Sequence, residues 1–127
     1  MAIIRLMEET QATGRVKEIF EEIKSTLEVP FVPQLFRALA TRPKQLEAAW
    51  IQVKGLFGSG ALDVKTKVLA ALAVAASQRC PYFVTIYAVV LKRLGATDEE
   101  IAELLEVASL SAALDTLVSG LGLEPEL

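Results

Sequence analysis

The chain has 127 residues, a net charge of −3, one cysteine and no histidine. That length predicts a single domain, residues 1–127, able to bury a core of its own, and the missing histidine removes the commonest metal ligand and the commonest general base together. The mildly acidic balance, without a basic cluster or aromatic–basic interleaving, excludes nucleic acid as an expected partner.

Hydrophobic residues make up 53% of the sequence and the mean hydropathy is +0.43, both high for a soluble chain. Membrane insertion does not account for this. The uncharged runs 68–78 and 80–91 are bounded by Lys67, Arg79 and Lys92, far short of the roughly 20 residues a spanning helix needs. Surplus apolar surface in a short chain goes instead into subunit contacts, so an oligomer is expected. The opening MAIIRLMEET turns acidic too early for a secretory signal, and a lone cysteine fits a reducing cytoplasm.

In chain order, residues 13–28 place Val16, Ile19, Phe20, Ile23 and Leu27 at helical spacing, with Lys17, Glu18, Glu21, Glu22 and Lys24 opposite. This predicts a surface helix with one buried stripe. Pro30 and Pro33 break it, because each forces an extended residue before it. A short helix follows at 34–40. Pro43 then suits the first turn of a third helix, where its missing N–H costs nothing. That helix carries Leu46, Ala49, Trp50, Val53 and Phe57 and ends at Gly58-Ser59-Gly60; Trp50 and Phe57 read as core.

Asp63 is a suitable N-cap for the next helix. From 68 to 76 every residue is apolar and most are small, which predicts a helix buried on all sides. Lys65 and Lys67 sit at the end disfavoured by the helix dipole and are expected to be solvated or paired across an interface. Pro81 opens a further helix that stops at Gly95, a natural left-handed cap. Thr97 and Glu100 form a capping box that starts a final helix on Ile101, Leu104, Leu105 and Ala108. It runs to about 120, with Ser109–Ser111 a place to kink, and 121–127 is a tail. No segment alternates like a strand. The fold class is all-α, a protomer of about six helices.

Three stretches resemble the alkylhydroperoxidase-D-like, or carboxymuconolactone decarboxylase-like, family: Pro33-Gln-Leu-Phe-Arg-Ala-Leu39 with the 43–50 helix, Leu62-Asp63 before an alanine-rich helix ending in Cys80-Pro81-Tyr82, and Leu94-Gly-Ala-Thr-Asp-Glu-Glu-Ile101. The resemblance is strongest over 30–118 and implies a helical protomer assembled as a trimer or a hexamer. That family's redox motif is a glutamate, eleven residues, then Cys-x-x-Cys-x-x-x-His. Two cysteines at a helix start exchange a disulfide, and the histidine and glutamate move the proton. Here the glutamate position holds Val68, the first cysteine is Cys80, the second cysteine position holds Phe83, and the histidine position holds Tyr87. The resemblance therefore implies that a dithiol peroxidase cycle does not run within one chain.

Cys80 and Tyr87 are the candidate reactive residues, and Val68 and Phe83 the candidate pocket residues. Cys80 stands at a helix start beside Arg79, as activated thiols do, yet a small buried hydrophobe is the commoner role for a free cysteine. Tyr87 shares a helix face with Phe83 and either donates to a ligand or is satisfied by a backbone carbonyl. No cofactor and no metal site are implied, whereas a small-molecule ligand remains open.

Leu35-Phe36-Arg37-Ala38-Leu39 and Leu46-Glu47-Ala48-Ala49-Trp50 also resemble a repeat unit of the group I 2-haloacid dehalogenases, hydrolases that activate water with a carboxylate. Asp63 and Asp115 are the aspartates outside the capping box, and neither matches that family's catalytic position. Three readings follow: a family member that has lost its dithiol site and is a binding or assembly protein or an enzyme of unknown reaction, a one-cysteine thiol oxidoreductase using Cys80, and a dehalogenase-like hydrolase.

Overall fold

The computed structural model describes residues 1–127. It contains a 3-10 turn, Glu9–Gln11, and six α-helices: α1 Gly14–Leu27, α2 Gln34–Leu39, α3 Pro43–Leu56, α4 Val64–Ser77, α5 Pro81–Arg93 and α6 Asp98–Leu121. There is no strand, and no helix is long and apolar enough to cross a membrane. The chain divides into two compact units, Met1–Gly60 and Ala61–Leu127.

In the first unit the stripe read from α1 is the core. Val16, Ile19, Phe20, Ile23 and Leu27 are buried with Phe36 of α2 and with Leu46 and Trp50 of α3. The Trp50 ring meets Phe36 edge-on at 5.7 Å, the geometry that the ring quadrupoles favour. Its indole Nε1 is not left unpaired by burial: it donates to Glu22 Oε2 at 2.8 Å, linking α3 to α1. The segment before α1 is tied down by backbone pairing. Met7 N–H donates to the Arg37 carbonyl at 3.1 Å, and Arg37 Nε returns a bond to the Met7 carbonyl at 2.8 Å.

In the second unit α4 packs against both α5 and α6. Asp63 caps α4 as read, accepting from the Thr66 N–H at 2.7 Å. The Thr97–Glu100 capping box is formed in both directions. Lys65 differs from expectation: it pairs within the unit, 2.7 Å from Glu100 Oε2. Gly95, at φ +87°, closes α5, with the Gly95 N–H reaching the Lys92 carbonyl and the Ala96 N–H reaching the Leu91 carbonyl. That pair of bonds is a Schellman motif, and it calls for a left-handed residue.

The expectation that 68–76 is buried on all sides is corrected by the structure. Only Val68, Leu72 and Ala75 are buried, one stripe at helical spacing, and Val74 on the outward side is 55% exposed. α6 goes further: none of its 24 residues is buried. Both helices carry more apolar surface than one chain covers. α6 also runs as one uninterrupted helix through Ser109 and Ser111.

The Glu22 carboxyl is held below its ordinary value of 4.5, first by the Trp50 N–H and then by the Lys54 and Arg15 charges. A depressed folded-state value stabilises the fold above the unfolded value and loses that contribution as the pH falls through the folded one. Glu22→Gln, which keeps an acceptor for the indole, is therefore expected to lower the urea midpoint modestly near neutral pH. It should also reduce the loss of stability between about pH 5 and pH 3. Equal acid sensitivity in the two proteins would refute this.

Candidate functional site

α4 and α5 are joined by three residues whose backbone groups are almost fully accounted for. Arg79 takes the left-handed conformation at φ 55°. Its N–H donates to the Ala76 carbonyl at 3.1 Å and the Cys80 N–H to the Ala75 carbonyl at 2.9 Å, a second Schellman closure. Pro81 then occupies the first turn of α5, where it has no N–H to lose. The Cys80 carbonyl accepts from Val84 N at 3.0 Å. Cys80 is thus the N-cap residue of α5, although its side chain makes no capping bond.

The thiol is neither core nor fully exposed. It is half-buried and lines an open hollow of about 300 Å³ with Ala71, Val74, Ala75, Gln78, Phe83 and Tyr87. Positions 71, 74 and 75 of α4 and its C-cap residue Gln78 share one face, and it leads directly into Cys80. That periodicity was available in the sequence, but the uniformly apolar composition of α4 obscured it. Phe83 and Tyr87, one turn apart on α5, stack at 5.2 Å with their planes 25° apart, and Tyr82 meets Phe83 edge-on at 5.2 Å. Burial pushes the Tyr87 phenol above its ordinary value, and the Cys80 sulfur, once ionised, adds in the same direction. The hydroxyl therefore stays protonated around neutral pH and is available as a donor.

Of the residues singled out from the sequence, the structure brings Cys80, Phe83 and Tyr87 together. Val68 is buried and does not line the hollow. The hollow has no charged side chain, and its only polar groups are the thiol, the Tyr87 hydroxyl and the Gln78 amide. Asp63 is engaged as a helix cap. Asp115 lies on a separate groove between α4 and α6, lined also by Ala73, Val74, Ser77, Val107 and Ser111.

A sequence profile of the carboxymuconolactone decarboxylase family matches residues 44–123. The chain belongs to that family. The crystal structure of the alkylhydroperoxidase AhpD core from Rhodospirillum rubrum superimposes on it with a TM-score of 0.91 at 32% identity, covering 99% of this chain and 95% of that one. Among curated proteins, an (R)-2-haloacid dehalogenase of Pseudomonas putida is 33% identical over 72 residues, 53% of this chain and 24% of that protein. An uncharacterized protein of the cox locus of Paracoccus denitrificans is 43% identical over 56 residues, 44% of this chain and 50% of that protein. The chain thus spans between a quarter and a half of the length of these curated relatives. As a carboxymuconolactone decarboxylase family member with the alkylhydroperoxidase fold, it carries one cysteine and no histidine, and a stacked ring pair stands beside its thiol.

The left-handed turn before Cys80 is held by a residue with a Cβ, which costs about 1–2 kcal/mol relative to an unstrained position. Arg79→Gly is expected to leave stability unchanged or raise it. Arg79→Val, β-branched at positive φ, should lower it by about 1–2 kcal/mol or more in denaturant titration. Tolerance of valine would show that the turn is not maintained in solution.

Proposed function

We propose that this chain is a carboxymuconolactone decarboxylase family protein without the dithiol hydroperoxidase cycle, and that its family site serves as a small uncharged hollow for an apolar ligand. The observation that supports this most directly is the Phe83–Tyr87 stack on the wall of the Cys80 hollow. By resemblance these two positions belong to the resolving cysteine and the proton-carrying histidine. A sulfenic acid at Cys80 would have no second thiol in the chain with which to condense. The aliphatic and aromatic lining favours a neutral, compact molecule oriented by the Tyr87 hydroxyl or the Gln78 amide, and the volume sits at the small end of ligand sites.

One observation favours a second reading. Cys80 stands half-exposed on an open hollow, so a hydroperoxide could reach it. The thiolate would attack the peroxide oxygen, release the alcohol and become a sulfenic acid. Two equivalents of an external thiol would then reduce it, giving water and a disulfide. The Cys80 hollow does not support the hydrolase reading, because no carboxylate lines it.

Consumption of an organic hydroperoxide in the presence of dithiothreitol separates the two. The native protein is expected to match Cys80→Ser and the protein-free blank. Turnover by the native protein that is absent from Cys80→Ser would replace the binding reading with the one-thiol oxidoreductase.

A further inference from the structure

The hollow beside Cys80 brings together three groups that neither binding nor peroxide reduction uses as a set. Cys80 supplies a half-buried sulfur nucleophile on an open wall. Tyr87 supplies a hydroxyl donor. It stays protonated around neutral pH, because burial first and the Cys80 sulfur second hold its pKa above the ordinary value. Phe83 and Tyr87 supply a ring pair stacked at 5.2 Å on the α5 side, and Ala71, Val74 and Ala75 an aliphatic wall on the α4 side.

We propose that Cys80 adds covalently to a neutral, aryl-conjugated enone held in this hollow, and that Tyr87 stabilises the enolate oxygen that develops. The proposal rests on reading the hollow as a ligand site and names the class of molecule it takes. An aryl enone is planar and uncharged, so it lies against the aromatic and aliphatic walls without stranding a charge among them. Its electrophilic carbon and its carbonyl oxygen stand at the two ends of one short conjugated unit. Such a unit can meet a thiol and a hydroxyl that share the same small hollow.

The step balances within the chain, the ligand and water. The thiol loses its proton to water, and the sulfur electron pair forms a bond to the β carbon. The electron pair of the carbon–carbon double bond moves toward the carbonyl oxygen, which accepts a hydrogen bond from the Tyr87 hydroxyl as its charge grows. Water then protonates the α carbon. Sulfur and hydrogen have added across the double bond, and no oxidant or reductant is consumed.

This chemistry also fits what the chain lacks. Addition needs no second thiol and ejects no leaving group, and the sequence has one cysteine and no histidine. The Gln78 amide is the other polar side-chain donor at the hollow. Gln78 is exposed, so water competes for its amide, whereas Tyr87 is half-buried and better shielded.

The test follows Cys80 in the full native chain with two probes, benzylideneacetone and its saturated counterpart benzylacetone. Intact-mass spectrometry should show one benzylideneacetone bound per chain and none on Cys80→Ser. The rate should level off with concentration, as binding before reaction requires. Tyr87→Phe keeps the ring and loses the hydroxyl. It should slow the limiting rate about tenfold or more, while alkylation of Cys80 by iodoacetamide, which builds no enolate, stays as fast as in the native protein. Benzylacetone should protect Cys80 from iodoacetamide in both proteins.

Protection by benzylacetone without any enone adduct would overturn the addition and leave the binding reading standing. Absence of protection would overturn the ligand site itself. An adduct whose rate rises linearly with concentration, or which Tyr87→Phe forms as fast as the native protein, would overturn the role given to the hollow or to Tyr87. Equal slowing of iodoacetamide and enone by Tyr87→Phe would show that the hydroxyl acts on the thiol alone, and would also overturn it.

Discussion

The site depends on how the chain turns from α4 into α5 in three residues. Two consecutive N–H groups, of Arg79 and Cys80, reach back to close α4, and proline follows at the position where a donor would otherwise be stranded. This fixes the backbone of Cys80 from both sides, since its N–H belongs to the end of α4 and its carbonyl to the start of α5. The thiol is therefore held at the meeting of two helices, facing the side chains that those helices present one turn away. The cost is a left-handed arginine, and this strain sits beside the one nucleophilic sulfur in the chain.

The second constraint is the excess of apolar surface. α4 is apolar on nearly every side, yet only its Val68–Leu72–Ala75 stripe is buried, and α6 buries nothing completely. The same outward face of α4 forms walls of both depressions in the second unit. That exposed apolar surface lies beside the site, and Val74 is common to the two depressions.

Much of the architecture was legible in the residues because local physics decided it. The α1 stripe, Pro43 and Pro81 in first turns, the Asp63 cap, the capping box at Thr97 and the left-handed Gly95 all use interactions made within a few residues of each other. What sequence could not supply was the direction in which each apolar face points. A run such as 68–76 satisfies the pattern of a fully buried helix whether its cover comes from the same chain or from elsewhere, and the structure buries only one stripe of it. Arg79 is a similar case, because nothing in its chemistry marks it for positive φ. The site was half visible. Cys80, Phe83 and Tyr87 follow from one helix face, whereas the contribution of Ala71, Val74 and Gln78 required knowing which side of α4 meets α5. Val68 went the other way, into the core.

The central claim is that Cys80 is part of the wall of a small apolar hollow, and is neither packing nor half of a dithiol. It is tested most directly by mass-spectrometric labelling of the folded protein with iodoacetamide, with and without a saturating small aromatic such as indole. The account predicts labelling at a rate that does not depend on urea below the unfolding transition and that falls when the aromatic is present. Labelling that begins only as the protein unfolds would contradict it and return Cys80 to the interior.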